Sequence, residues 1–245
     1  MHGPWSDWRK ELNTIPVESF KNNDLIKSIP LHMPAWLHPF VAWMYQDMAH
    51  EEYVDLEEDN MGHTGQSWEE SHMMAHFDVT GWTRVSVNKI RHYHFYRHIR
   101  DDLLSGKIER IVEFGAGAGE LAKIIKHHHP DVEYNIFDFP EVIRFSSYIN
   151  SNNDTKFHSS FGSIVNVSNK KTALLSSWGI SESPLEMRRK FIEHVKPDML
   201  FMTVQSEFEG IDNLRWVNGL SDNIVMSRIP RHNWDGGSYY VKVNF

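Results

Sequence analysis

The most constraining feature of this 245-residue sequence is a run of alternating glycines that follows a short apolar segment. Residues 110–114, Arg-Ile-Val-Glu-Phe, have the composition of a buried strand, and Gly-Ala-Gly-Ala-Gly follows at residues 115–119. Residues 120–128 then predict an amphipathic helix. Glycines between a strand and a helix allow a sharp turn and let a ligand approach the main chain, while the helix presents unpaired N–H groups. The segment therefore predicts a nucleotide-type ligand.

The spacing of the glycines argues against two common phosphate-binding motifs. A dinucleotide fingerprint, G-x-G-x-x-G/A, starting at Gly115 requires a small residue at position 120, where Glu120 stands. Its carboxylate would also compete with a pyrophosphate for the helix N-terminus. A phosphate loop of the form G-x-x-x-x-G-K-S/T is absent from the sequence. The pattern that fits is an acidic residue, Glu113, two positions before the first of three alternating glycines.

This pattern resembles the first motif of the class I S-adenosylmethionine-dependent methyltransferases, and the resemblance spans about residues 108–245. In that family a second acidic residue, at the end of the next strand, binds both ribose hydroxyls through its two carboxylate oxygens. Asp138 closes the segment Tyr-Asn-Ile-Phe-Asp and matches that place. The resemblance implies S-adenosylmethionine as the cofactor. It implies contacts with the cofactor from Glu113, Gly115, Ala116, Gly117, Gly119, Asp138, Phe139, Ser160, Phe161, Ser177 and Trp178.

A narrower resemblance concerns the methyl acceptor. Residues 137–141, Phe-Asp-Phe-Pro-Glu, and residues 176–184, Ser-Ser-Trp-Gly-Ile-Ser-Glu-Ser-Pro, are similar to segments of the sugar O-methyltransferases. This similarity implies O-methylation of a sugar-like hydroxyl on a small polar acceptor. Two alternatives stay open: N-methylation of a small molecule, and a non-catalytic or scaffold protein that binds the cofactor with the same fold.

O-methylation needs a group that removes the hydroxyl proton, because an alcohol has too high a pKa to attack unaided. Residues 231–238 have the polar, glycine-rich composition of a loop between two strands, where a rigid scaffold often holds catalytic groups. We take His232 as the candidate base and Asp235 as its orienting partner, although Asp-Gly-Gly also suits a plain hairpin turn. Glu182 is a third catalytic candidate, because its segment often lines the groove between cofactor and substrate in the family.

The 16 histidines do not by themselves predict a metal site. His72 and His76 share one helix face, but Met73 stands where a zinc protease has its glutamate. We therefore predict no metal ligands. The three histidines at residues 127–129 are expected at a solvated helix end, where partly protonated histidine complements the helix dipole.

The rest of the sequence predicts the architecture. After about residue 105, short apolar runs alternate with amphipathic segments, as in an α/β, doubly wound, mostly parallel Rossmann-like sheet whose last strand runs antiparallel. Residues 1–105 predict a helical cap that builds the substrate region, and residues 106–245 the S-adenosylmethionine-binding domain. Residues 85–104 predict a helix before the first strand, and Ser105-Gly106 is its predicted stop. The residues on or next to this helix that are expected to close over cofactor or substrate are Arg84, Arg91, Tyr93 and Tyr96.

Composition limits the remaining function classes. The absence of cysteine excludes disulfide scaffolds, thiolate nucleophiles and cysteine zinc sites. A formal net charge of −8 argues against binding to nucleic acid. The sequence has no apolar run of the ~18 residues that a spanning helix needs and no signal-peptide pattern. We expect a cytoplasmic protein, without a membrane partner, that binds a small-molecule acceptor, and we allow for a homodimer.

Overall fold

A computed structural model describes residues 9–10, 12–17, 87–165, 169–230 and 237–245 of the chain. Residues 9–10 and 12–14 are helical. The helices that follow are α1 Val87–Arg97, α2 Arg100–Leu104, α3 Glu120–His128, α4 Pro140–Ile149, α5 Leu185–Val195 and α6 Asn213–Asn218. The strands are β1 Arg110–Phe114, β2 Glu133–Phe137, β3 Lys156–His158, β4 Thr172–Ser177, β5 Met199–Gln205, β6 Glu207–Phe208, β7 Ile211–Asp212, β8 Ile224–Ile229 and β9 Ser238–Asn244.

Seven of the described strands form one sheet in the order β3-β2-β1-β4-β5-β9-β8. The pairs from β3 to β5 are parallel, whereas β9 runs antiparallel to both β5 and β8. The predicted doubly wound, mostly parallel sheet with an antiparallel last strand is therefore confirmed. The strand order reverses between β1 and β4, and open α/β sheets bind their ligands in the crevice at such a reversal.

The core lies on both faces of this sheet. Every residue of β1 and β5 is buried, as expected for central strands that are covered on two sides. Ile111 belongs to the cluster formed with α1 and α3, and its neighbour Val112 belongs to the cluster formed with α5, because successive side chains of a strand point to opposite faces. No helix in the described part of the chain is both long and apolar enough to cross a membrane.

The helix expected over residues 85–104 is two helices in the structure. The amides of His98 and Ile99 bond to the carbonyls of Phe95 and Tyr96, three residues back, which ends α1 in a tightened turn. The predicted stop is confirmed: Ser105 caps α2, and Gly106 follows with a φ of +69°.

The expectation for Tyr93 and Tyr96 on α1 is wrong, and the expectation for the three histidines at the end of α3 holds only for His127. Tyr93 and Tyr96 do not close over a ligand, because they are 1% and 3% exposed and pack against the end of α3. His128 stacks on Tyr96 with ring centroids 5.3 Å apart, and the Tyr96 hydroxyl shares a 2.9 Å hydrogen bond with His129 Nε2. Burial and the neighbouring His128 lower the pKa of His129, so His128 and His129 are packed against α1, whereas His127 is exposed as predicted. Arg84 lies outside the described residues.

Of the predicted cap, the structure describes residues 9–10, 12–17 and 87–105. The division into a cap of residues 1–105 and a binding domain of residues 106–245 stays a prediction.

The loops after β1 and β4 touch through two glycines. A Cβ on Gly115 would lie 3.0 Å from the Cα of Gly179, and a Cβ on Gly179 would lie 2.9 Å from the carbonyl oxygen of Phe114. The Ser176 hydroxyl donates to the same Phe114 oxygen at 2.9 Å and accepts from the amide of Ile180 at 2.8 Å. These contacts hold the carboxyl ends of the two central strands together.

We expect Gly179→Ala to lower the free energy of unfolding by about 1–3 kcal/mol, because the new methyl group meets backbone atoms that cannot move independently. Gly162→Ala is the matched control, since a Cβ there meets nothing within 4 Å, and it should change stability by less than ~0.5 kcal/mol. Chemical denaturation of both variants checks this. Equal stability of the two would contradict the close approach of the loops.

Candidate functional site

The loop between β1 and α3 is shaped by glycines in the left-handed region. Gly115, Gly117 and Gly119 have φ values of +73°, +56° and +77°. A Cβ on Gly119 would meet the side chain of Asn150 at 2.5 Å, whereas a Cβ on Gly117 would meet nothing within 4 Å. Gly117 therefore faces open space, and a ligand can reach the main chain there. The side chain of Ala116 is buried in the core, so it offers a ligand only its backbone.

Asp138 follows β2 and is tied to this loop. Its Oδ2 accepts a hydrogen bond from the Gly117 amide at 2.9 Å, and its Oδ1 accepts one from the Phe139 amide at 2.7 Å. A carboxylate has about four lone-pair positions, so each oxygen keeps one position for a further donor. Burial raises the pKa of Asp138 to about 6, against the two amide hydrogen bonds and the charge of Arg9, which lower it.

Glu113 lies on β1, and its side chain is fully buried behind the glycine loop. Its Oε2 accepts a 2.8 Å hydrogen bond from the Tyr134 hydroxyl, but its Oε1 has no hydrogen-bond partner among the described residues. Burial raises the pKa of Glu113 to about 8, and nearby Asp138 adds to the increase. A buried acceptor without a donor is rare in folded proteins and fits a site where a ligand supplies a donor or a cation.

The turn after β4 contains a strained residue. Trp178 has a φ of +77°, which is unusual for a bulky side chain and is often found at ligand sites. Its carbonyl oxygen accepts hydrogen bonds from the Glu182 amide at 3.1 Å and from the Ser181 hydroxyl at 2.8 Å. Ser177, the last residue of β4, is half-buried directly before it. The predicted residues Ser177 and Trp178 thus lie at the carboxyl end of β4, beside the glycine loop.

A buried arginine fixes the loops that follow β4 and β5. The guanidinium of Arg188 donates to the carbonyls of Ser181 and Ser183 at 2.6 and 2.7 Å, and to Asn213 Oδ1 at 2.7 Å. Burial lowers the pKa of Arg188 to about 10, so it stays cationic at neutral pH. Sequence reasoning missed this residue. The sequence did contain a pattern that indicates its burial. The buried positions of α5 are 188, 191 and 195, and this spacing places them on one helix face.

Glu182 lies in the loop that Arg188 holds, and it is half-buried. Gln205 Nε2 donates to Glu182 Oε1 at 3.4 Å, while Gln205 Oε1 accepts from the Ser181 hydroxyl at 3.0 Å. Burial raises the pKa of Glu182, and the positive charge of Arg91 on α1 opposes that increase. Burial likewise lowers the pKa of Arg91, and interactions with Tyr240 and Glu182 oppose that decrease. The predicted residue Arg91 therefore lies close enough to Glu182 for the two charges to interact.

Ser160 and Phe161 follow β3. Ser160 is exposed, and its carbonyl oxygen accepts hydrogen bonds from the amide and hydroxyl of Ser163. Phe161 is half-buried, with its ring 5.2 Å from that of Phe137 and 5.4 Å from that of Phe191. Its packing role is thus visible directly, and its contact with a cofactor stays a prediction.

His232 and Asp235 lie outside the described residues. The residues that flank them are described: Ile229 at the end of β8 pairs with Ser238 at the start of β9, and Ser238 pairs with Gln205. Both ends of this segment are therefore anchored at the carboxyl edge, next to Gln205. Within the described ranges, no group of three or more histidine, aspartate and glutamate side chains is placed to hold a metal ion.

A family model described as an O-methyltransferase domain matches residues 96–175. No curated protein matches the chain. Three solved structures are similar at low identity. The methyltransferase domain of the bacterial protein CtHen1 is 10% identical with a TM-score of 0.48, covering 61% of this chain and 96% of that one. Thermoplasma acidophilum protein 1320 is 13% identical with a TM-score of 0.45, covering 64% and 89%. An O-methyltransferase family 2 protein from Planctomyces limnophilus in complex with apigenin is 12% identical with a TM-score of 0.44, covering 63% and 58%.

At these identities the structural similarity concerns the fold alone. The family match confirms, at the level of the enzyme class, the prediction of a methyltransferase that uses S-adenosylmethionine.

We expect the free energy of unfolding to fall as the pH rises from about 5 to 8, because Glu113 has a pKa of about 8 when folded and an ordinary, lower pKa when unfolded. The folded state then holds a proton that the unfolded state releases. Glu113→Gln should flatten this dependence and raise stability at about pH 8 by on the order of 1–3 kcal/mol. Denaturant titrations across this range measure the slope. Glu193→Gln, at an exposed position, is the control, and an unchanged slope in Glu113→Gln would show that Glu113 is ionised throughout.

Proposed function

We propose that this protein transfers a methyl group from S-adenosylmethionine to a hydroxyl oxygen of a small, sugar-like acceptor. The observation that carries the proposal is the group at the carboxyl ends of β1 and β2: the unpaired Oε1 of Glu113, the open side of Gly117 and the part-satisfied carboxylate of Asp138. It lies in a chain whose residues 96–175 match an O-methyltransferase domain. The cofactor supplies an electrophilic methyl group on a cationic sulfur, and that positive charge is lost on transfer.

The residues of the crevice fit such a cofactor. Asp138 has two free acceptor positions for the ribose hydroxyls, and Glu113 offers a buried carboxyl oxygen to a cationic group. The glycine loop gives access to the main chain beside them. The remaining proposed contacts come from the strand ends that flank these residues: Phe139 after β2, Ser160 and Phe161 after β3, and Ser177 and Trp178 at the end of β4.

The acceptor side is proposed at the ends of β4 and β5. Glu182 and Arg91 place a carboxylate and a guanidinium near one another, and such groups pair with adjacent hydroxyls through two hydrogen bonds each. The buried amide of Gln205 holds the Glu182 carboxylate in place. The half-buried Trp178 adds an aromatic side chain to the same edge, and indole rings stack on sugar rings. The positive charge of Arg91 disfavours a cationic amine as the acceptor. These features support a polyhydroxylated acceptor over an amine.

We assign His232 as the base and Asp235 as the residue that orients it. An acceptor hydroxyl must give up its proton as its oxygen bonds to carbon, and imidazole with a pKa near ~6.5 suits this task at neutral pH. The supporting observation is that Ile229 and Ser238, which flank the segment, lie at the carboxyl edge beside Gln205.

Asp138→Ala should weaken the binding of S-adenosylhomocysteine by about 1–3 kcal/mol, or roughly 5- to 150-fold, because the ribose loses charge-assisted hydrogen bonds. Titration calorimetry on the purified protein measures the change. Asp131→Ala is the matched control, since Asp131 is exposed and precedes β2, at the other end of that strand from Asp138. Unchanged affinity in Asp138→Ala would move the ribose site elsewhere, and no binding by the unmodified, folded protein would refute the proposed function.

His232→Ala should lower the rate of methyl transfer by about 10²- to 10⁴-fold, because the hydroxyl loses its proton acceptor. The affinity for S-adenosylhomocysteine should stay within about twofold, since the base contacts the acceptor and not the cofactor. His127→Ala, at an exposed position on α3, is the control. Single-turnover rates with labelled methyl groups test this, and full activity of His232→Ala would remove it from the mechanism.

The acceptor class is tested by a labelled-methyl transfer screen over sugars, nucleotide sugars, phenols and amines, with and without Mg²⁺. Transfer to sugar hydroxyls without added metal supports the proposal. Transfer to amines alone would favour the N-methyltransferase alternative, and a strict need for Mg²⁺ would replace the histidine base by a metal. Cofactor binding without transfer to any acceptor would favour a non-catalytic protein.

A further inference from the structure

The N-terminal segment, residues 9–10 and 12–17, is fastened to α4 beside the proposed ribose site. Its contacts are made across about 130 positions of sequence, so they reflect tertiary packing and not chain proximity. The apolar side chains that pack together are Leu12, Ile15, Val142 and Phe145, all of them buried. Arg144 donates from its two terminal nitrogens to the carbonyls of Asn13 at 3.2 Å and Ile15 at 3.0 Å.

Arg9 of this segment reaches the turn between β2 and α4. Its guanidinium carbon lies 3.4 Å from the centroid of the Phe139 ring, which is the geometry of a cation–π contact. Its Nε forms an ion pair with Glu141 Oε1 in the first turn of α4. Phe139 is still 39% exposed, and Arg9 is half-buried between it and Glu141. The guanidinium is therefore held in one place from two sides.

We propose that Arg9 is part of the cofactor site and forms, with Asp138 and Phe139, the wall beside the ribose. The inference rests on the proposed function, because it takes the two free acceptor positions of Asp138 as the ribose contacts. It adds a residue from the far N-terminus to a site otherwise built from the strand ends of the sheet.

The charges that face Asp138 explain what Arg9 contributes. The amides of Gly117 and Phe139 and the guanidinium of Arg9 favour the ionised carboxylate, whereas burial and Glu141 oppose it. Glu113, with a pKa of about 8, is mostly protonated at neutral and lower pH and adds little charge. Without Arg9, burial and Glu141 act on Asp138 with only the amides against them. Asp138 then holds its proton at a higher pH, and a protonated carboxyl donates at one of the positions where the ribose hydroxyls need an acceptor.

The test is titration calorimetry with S-adenosylhomocysteine between about pH 5.5 and 8. We expect Arg9→Ala to weaken binding about fivefold near pH 7, with the loss growing as the pH falls toward 6. Arg9→Lys should recover most of the affinity and the original pH dependence, because it restores the positive charge. Arg189→Ala is the matched control: this arginine also pairs with a glutamate on a helix, and it is exposed.

Wild-type affinity and pH dependence in Arg9→Ala would overturn the assignment. A loss of affinity that is independent of pH and is not recovered by Arg9→Lys would also overturn it, because the segment would then act by packing alone. If the unmodified protein binds no S-adenosylhomocysteine, the proposed function fails and this assignment fails with it. The first two outcomes leave the proposed function in place.

Discussion

The contact between Gly115 and Gly179 determines how the carboxyl edge of the sheet is arranged. At this point the chain leaves β1 for α3 on one face and leaves β4 for α5 on the other, so two loops start from neighbouring strands and diverge. A side chain at either position would push the loops apart, since its Cβ would come within 2.9–3.0 Å of backbone atoms. With both glycines present, the loops touch, and the crevice between them is bounded by main chain.

At this edge, two acidic side chains lack full hydrogen bonding or charge neutralisation from the rest of the protein. Glu113 is fully buried with one oxygen unpaired, and Asp138 has a pKa raised to about 6 although two amides bind it. Keeping carboxyl groups in such surroundings costs stability, because burial disfavours their charged forms. A cofactor that brings a positive charge and hydroxyl donors would offset that cost. The incomplete hydrogen bonding of Glu113 and the raised pKa of Asp138 are thus the physical basis on which we propose this edge as a binding site.

The arrangement of the proposed cofactor side was predictable from the sequence because its determinants are local. The glycine loop, Glu113 and Asp138 each follow or end a strand whose apolar composition is visible in the sequence, and parallel strands bring their carboxyl ends together. The contacts that were not predicted join residues far apart in the chain. Arg9 contacts Phe139 and Tyr96 contacts His129 only after folding. The spacing of residues 188, 191 and 195 places Arg188 on the buried face of α5, but its partners lie in two loops that this spacing does not identify. Residue spacing carries no information about such partners.

The same difference between local and long-range determinants separates the proposed cofactor side from the proposed acceptor side. Glu182 lies in the loop that Arg188 holds through the carbonyls of Ser181 and Ser183. Arg188 also bonds to Asn213, whose own amide donates at 2.9 Å to the carbonyl of Gln205 at the end of β5. Through these hydrogen bonds, the position of Glu182 depends on α5 and α6. The pKa of Glu182 depends on α1, because the positive charge of Arg91 lowers it. The proposed acceptor site therefore depends on α1, α5 and α6 as well as on the strand ends. Substitutions in α1 would then change acceptor preference without altering the strand ends that are proposed to bind the cofactor.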